Sequence, residues 1–217
     1  MPIKHSIQQG ESTISLSERY GFFAQTIWDH GENAELKRLR KDMNVLLPGD
    51  KVVVPDKRLK EVSKPSDQKH RFRRKGIPAK FRLQIFDGEK PRAKQDYRFT
   101  IDGTIFTGKT DASGVLEIYI SPAAKEGILV IGPDHFELVV DFGHLDPISE
   151  ISGVQMRLNN LGYDCGEATG ELNEATREAL RKFQRRFLLT ESGQPDEATR
   201  KKLEQMHDDA HEFPQQK

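Results

Sequence analysis

The spacing of apolar residues changes character along the chain, and the changes divide it into three regions. From Phe81 the period is two: Phe81, Leu83 and Ile85 alternate with Arg82 and Gln84, and Tyr97, Phe99 and Ile101 with Arg98 and Thr100. Such alternation predicts strands with one buried face. Asp102-Gly103 is a favoured two-residue hairpin turn. The next strand, Thr104–Thr110, ends at the turn Asp111–Gly114, and Val115–Ile120 returns. Ile128–Ile131 and Phe136–Val140 complete a predicted antiparallel β-sandwich. From Ile151 the period becomes helical. Ile151, Val154, Leu158 and Leu161 lie three or four residues apart and stop at Gly162. Two further helix starts repeat almost the same words, Asn173-Glu-Ala-Thr-Arg177 and Asp196-Glu-Ala-Thr-Arg200. Each opens with a capping Asn or Asp and places a Glu where the helix dipole favours negative charge. Three short helices predict a small bundle, with Phe183 and Phe187 as its largest apolar side chains.

Residues 5–55 read as strand, helix, helix, strand. His5-Ser-Ile7-Gln8 is a short strand. Glu11–Tyr20 is a helix capped by Ser12 and stopped by Gly21, and a second helix covers Phe23–Trp28. Lys51–Val54 is a closing strand between Pro48-Gly49-Asp50 and Pro55. Between the second helix and that strand, residues 29–44 hold Leu36 and Leu39 at the spacing of one amphipathic turn, with Arg38, Arg40 and Lys41 facing solvent. Residues 57–76 are predicted to be a tether. From Lys57 to Lys75 it carries nine basic side chains against two acidic ones, and Phe72 is its one aromatic. Base-stacking platforms are therefore lacking.

Composition narrows the function classes. The 217 residues carry 34 basic and 34 acidic side chains, so no global electrostatic attraction to nucleic acid or membrane follows. A single cysteine, Cys165, excludes an internal disulfide framework and reads as a small buried residue in a turn. No apolar run is long enough to span a bilayer, and Met1–Ile7 has no signal-type apolar segment. The expectation is synthesis in the cytoplasm without a signal peptide.

The order of residues in the last third is more specific than its architecture. Val154-Gln155-x-x-Leu158-x-x-Leu161-Gly162-Tyr163, then Gly166, Thr169-Gly170, Thr176, Ala179-Leu180, Phe183-Gln184, Gly193, Thr199 and Leu203 resemble the type 1 peptidoglycan-binding domain. Thr169-Gly170 stands where the family usually has Asp-Gly, and Glu171–Glu174 lacks the family's second glycine. The resemblance implies a ligand surface around the loop after the first helix and the start of the second: Gly162, Tyr163, Asp164, Gly170, Thr176 and Arg177, with Gln184 as polar support.

Near the N-terminus, Ile7-Gln-Gln-Gly10-Glu11-Ser12, Leu16, Arg19-Tyr20-Gly21, Ile27 and Leu47-Pro48-Gly49-Asp50-Lys51-Val52-x-Val54-Pro55 resemble a lysin motif (LysM), a βααβ glycan-binding fold. Thr13 replaces the family's usual leucine, and 29–44 is longer than its usual turn. By position the implied ligand residues are Gly10, Glu11, Ser12 and Thr13, with Asn44, Val45 and Leu46. The middle region, through Lys90-Pro91, Tyr97–Gly103 and Gly108–Gly114, resembles transthyretin-like inserts of spike-associated proteins from bacterial contractile injection machines.

The whole reads as an α+β multidomain chain. It comprises a lysin-motif-like domain at 1–56 with insertion 29–44, a basic linker at 57–76, a β-sandwich at 77–145, a three-helix domain at 148–210 and a tail at 211–217. No catalyst is legible. His207 and His211 lack the glutamate a zincin pair needs. Several of His135, His144, Asp134, Asp141 and Asp146 fall on a face expected to be exposed. No carboxylate pair sits in a context implying a glycosidase cleft. The expected function is non-catalytic peptidoglycan binding, engaging glycan strand and stem peptide, with no cofactor or metal. A secretion spike protein or toxin is the alternative partner and a type VI secretion machine the implied export route to the periplasm or wall. A hydrolytic site in the middle domain is the remaining alternative.

Overall fold

A computed structural model describes residues 1–57, 63–70, 79–88 and 90–208. The chain forms two compact units, residues 1–44 with 48–144, and residues 45–47 with 145–217.

The first unit opens with β1 (Ile3–Ser6), α1 (Thr13–Tyr20) and α2 (Ala24–Trp28). A 3₁₀ turn at Gly31–Asn33 leads into α3 (Ala34–Arg40), and β2 (Lys51–Val54) pairs antiparallel with β1. The first strand thus lies earlier than the predicted His5–Gln8. α1 begins and ends as its sequence dictates: Ser12 and Ser15 form a reciprocal capping box, and Gly21 closes the helix in the left-handed conformation, φ 73°. Ile7, Leu16, Ile27, Trp28, Val52 and Val54 are buried.

Residues 29–44 differ from expectation. They form the 3₁₀ turn and a seven-residue helix, not a single amphipathic turn, and neither Leu36 nor Leu39 is buried. Leu39 is exposed. Arg40, expected in solvent, instead makes a two-pronged ion pair with Asp50 at 2.8 and 2.9 Å. Asn33 explains why this segment belongs to the module. Its buried side-chain amide donates to the carbonyls of Ile27 and Val53, and its oxygen accepts from Val53 N–H, each at 2.8 Å.

In the same unit, β6 (Asp96–Ile101), β7 (Thr104–Lys109), β9 (Glu126–Ile131) and β10 (Phe136–Asp141) form an antiparallel sheet in the order β10-β9-β6-β7. β3 (Ala79–Gln84) pairs with β8 (Val115–Ile120), and a short ribbon joins β4 (Phe86–Asp87) to β5 (Lys90–Pro91). Phe99, Ile101, Leu129 and Ile131 of the larger sheet share one core with Leu116 and Ile120 of β8. The Asp102-Gly103 turn forms as predicted, with φ 44° and 80° at its two central residues.

The second unit is a mixed loop and three-helix region: α4 (Ile151–Asn160), α5 (Glu174–Arg186) and α6 (Glu197–His207). Its core is Val154, Leu158, Cys165, Ala179, Leu180, Phe183, Leu203 and Met206. α4 lies so close to the chain before it that a Cβ on Gly153 would overlap the Pro147 carbonyl. The largest fully buried side chain among the described residues, Arg157, sits here. Its guanidinium donates to the carbonyls of Asp146 and Gly153 and grips Asp208 at 2.9–3.2 Å.

Candidate functional site

The two repeated helix starts of the C-terminal unit are tied down by the same device. Asn173 Oδ1 accepts from Thr176 N–H, and Asp196 Oδ1 from Thr199 N–H, each at 2.8 Å. Both threonines are fully buried. A buried glutamine from the preceding helix reaches each one. Gln155 of α4 donates to Thr176 Oγ1 at 2.8 Å and to the Glu171 carbonyl, while its oxygen accepts from Gly170 N–H. Gln184 of α5 donates to Thr199 Oγ1 at 3.0 Å and to the Gln194 carbonyl, while its oxygen accepts from Gly193 N–H. Each glutamine thus clasps a glycine-containing loop to the helix start that follows it. Buried polar groups are costly unless paired, so each clasp fixes its loop.

This geometry sorts the residues carried over by resemblance. Thr176 and Gln184 are buried inside the clasps and position the loops without offering a side chain to a ligand. Gly170 is exposed and held by Gln155. Gly162 (φ 84°) and Asp164 are exposed, and Asp164 accepts from Gly166 N–H at 2.9 Å. Tyr163 is half-buried, its ring edge-on to Phe183 of α5 with centroids 5.4 Å apart. Arg177 and Arg200 occupy matching places after the two caps but differ in use. Arg200 spends its guanidinium on the carbonyls of Pro195 and Ile148. The Arg177 guanidinium makes no hydrogen bond or ion pair among the described residues, and the residue is half-exposed. Its charge is available to an anionic ligand. Cys165 is closed off, its thiol against Asn159 Oδ1 and the Gln155 carbonyl, and burial, with the nearby Asp164 charge, pushes its pKa up. A reactive thiolate is disfavoured there.

Residues 149–203 match the family described as "Putative peptidoglycan binding domain". The match covers about a quarter of the chain and contains both clasps. No curated protein and no solved structure matches the chain. The match supports peptidoglycan as the ligand class of residues 149–203, and with it a cell-wall association.

The N-terminal residues singled out from sequence are arranged differently. Thr13 N–H donates to the Met43 carbonyl at 2.9 Å, which brings the loop before α1 beside the loop before β2. Asn44 is exposed and Val45 half-buried. Thr13 and Leu46 are buried, so neither side chain is presented to a ligand, and Thr13 Oγ1 has no hydrogen-bond partner. Ser12 is engaged in its capping box. Glu11 holds three neighbours: its carboxylate meets His5 Nε2 at 2.6 Å, Arg19 at 3.0 Å and Gln8 N–H at 3.1 Å. Partial burial works to raise its pKa, and the bonds from His5 and Gln8 with the Arg19 charge carry it below the ordinary value. Gly10 is covered by residues after β10. A Cβ on Gly10 would stand 3.3 Å from His144 Nε2, and one on Gly143 only 2.6 Å from the Gly10 carbonyl.

Among the described residues no group of three His, Cys, Asp or Glu could hold a metal ion, and no helix is long and apolar enough to cross a membrane. His135 and His144 are exposed, Asp134 pairs with Arg92, and Asp146 accepts from Ser152. His207 bonds Asp208 and Asn160. His211, the tail and most of the basic linker lie outside the described residues.

Proposed function

We propose that the chain is a non-catalytic peptidoglycan-binding protein whose C-terminal domain supplies the main attachment. The observation that carries this reading is the match of residues 149–203 to a peptidoglycan-binding family. The exposed loop held by Gln155 supports it, because Arg177 stands unpaired at the adjacent helix start. Stem peptides carry carboxylates and amides, which suit a guanidinium, the Asp164 carboxylate and the loop's backbone groups. Half-buried Tyr163 adds an aromatic ring beside this loop.

In this reading the lysin-motif-like module adds a second, weaker contact with glycan. Two weak modules on one polymer raise retention through effective concentration without new contacts. The test is co-sedimentation of the full chain with purified sacculi. Wild type pellets, and Arg177→Glu combined with Asp164→Lys lowers the bound fraction sharply. Undiminished pelleting by that variant overturns the assignment.

A second reading is favoured by one observation, the cover of residues 142–144 over Gly10. A module whose first loop is packed against its own chain suits an adaptor that docks a protein, such as a secretion spike or a toxin. Co-purification with a spike protein and no retention on sacculi would select it. Release of muropeptides from sacculi would instead select a hydrolase.

A further inference from the structure

The larger sheet of the first unit turns one face to its core, and its other face has a pattern that wall binding does not use. In register, Val139, Ile128, Thr100 and Ile105 form one row across β10, β9, β6 and β7. Its three apolar members are 60, 46 and 61% exposed. At about 4.8 Å per strand, the row is roughly 14 Å long. A solvated face of an antiparallel sheet normally alternates polar residues outward. Here hydrocarbon is lined up in water across every strand, the mark of a contact surface.

The flanking rows state what kind of contact. Toward the hairpin end lie Asp141, Glu126 and Asp102. Asp141 is directly opposite Glu126, and Asp102 N–H donates to the Glu126 carbonyl. Like charges side by side across strands repel. None of the three is in an ion pair among the described residues, and of their carboxylates only that of Asp102 accepts a hydrogen bond there, from Lys125 N–H. On the other flank Arg98 and Glu137 share a row with Val130 and offset each other's charge. Beyond the apolar row on that side opens a shallow groove of about 820 Å³, lined in part by Arg98, Thr107, Lys109 and His135.

We propose that this face docks a basic amphipathic segment of a partner protein. The partner's apolar side chains lie along Val139, Ile128 and Ile105, and its Lys or Arg side chains meet Asp141, Glu126 and Asp102. Charge chooses this occupant over the others. Anionic lipid and the carboxylates of stem peptides are repelled by the acidic row. In a second copy related by a two-fold axis along the apolar row, the acids would face the Arg98–Glu137 row, whose charges cancel, so self-association lacks an electrostatic complement.

The experiment measures binding of two dye-labelled synthetic octapeptides to the full chain by fluorescence anisotropy, one alternating Leu and Lys, the other alternating Leu and Glu. The Leu-Lys peptide is expected to bind and the Leu-Glu peptide to bind at least about tenfold more weakly. Affinity for the former should fall about tenfold in Ile128→Asp, and likewise in the triple variant Asp102→Asn, Glu126→Gln, Asp141→Asn; thermal melts confirm that both variants are folded. Equal binding of the two peptides, binding untouched by either variant, or no binding at millimolar peptide overturns the proposal. So does sedimentation showing a wild-type dimer that Ile128→Asp dissociates, which would assign the face to a second copy.

Discussion

Two parts of this chain look like wall-binding modules, and they hold their candidate loops in opposite ways. In the C-terminal domain the loop after α4 is fixed from beneath. Buried Gln155 and Thr176 satisfy one another, Asn173 caps the helix start above them, and the outer side chains stay open. In the N-terminal module the loop before α1 is occupied from above and within, by residues 142–144, by the Glu11 contacts and by the burial of Thr13. Motif residues therefore divide into those that build a loop and those that a loop presents. The difference lies in which polar atoms are already used.

The largest expected effect comes from breaking a clasp. Gln184→Leu leaves Thr199 Oγ1, Gly193 N–H and the Gln194 carbonyl without their buried partner. At about 1–3 kcal/mol for each stranded group, a loss of about 3 kcal/mol or more is expected, read by urea unfolding of the C-terminal transition. Asn33→Leu removes the corresponding knot of the N-terminal module and should cost a similar amount. A loss below about 1 kcal/mol at either site would mean that water or local rearrangement replaces the amide.

Gly153→Ala follows. Alanine has the higher helix propensity by about 1 kcal/mol, but its methyl group would strike the Pro147 carbonyl. Net destabilisation of about 2 kcal/mol is expected, and a stabilised variant would show that the approach of α4 to residues 146–147 is looser than described.

A sharper comparison uses one substitution at two sites. Thr176→Val removes an oxygen that both donates to Asn173 and accepts from Gln155, so it should destabilise by about 1–2 kcal/mol. Thr13→Val removes a buried oxygen with no partner and should be neutral or stabilising by up to about 1 kcal/mol. Equal changes of the same sign would erase the distinction drawn here.

The smallest effect concerns pH. Asp208 is partly buried, which alone would raise its pKa, yet the bonds from His207 and Arg157 carry it below the ordinary value. The same direction holds for Glu11. A depressed carboxylate contributes stability above its unfolded pKa of about 4 and loses it as pH falls through the lower folded value. Both units should therefore weaken on acidification below about pH 4, and Asp208→Asn should flatten that dependence in the C-terminal unit. An unchanged acid limb in this variant would remove Asp208 from the account.

Local chemistry was legible in the sequence. The capping residues Ser12, Asn173 and Asp196, the Asp102-Gly103 turn and the strands at 51–54 and 115–120 follow from neighbours a few residues apart. Long-range pairings were not. Nothing within residues 29–44 announces that Asn33 will bond Val53, or that Arg40 will turn back to Asp50. The clasps left a trace in the repeated Glu-Ala-Thr-Arg words, each with a glutamine one helix earlier, but pairing them needs the fold. Carrying binding residues over by position put Thr13, Leu46 and Thr176 on a surface, whereas their side chains are buried, because a motif marks structural and contacting positions alike.

The central claim is that the C-terminal domain carries the wall attachment through its open loop. Its most direct measurement is the affinity of the full chain for purified sacculi, compared between Arg177→Glu/Asp164→Lys and Asn44→Asp, a change in the N-terminal loop. The account predicts a loss of about tenfold or more for the first pair, as removal of charge-assisted contacts worth about 1.5–3 kcal/mol implies, and a much smaller loss for the second. Full affinity in the C-terminal variant with release by the N-terminal one would contradict it.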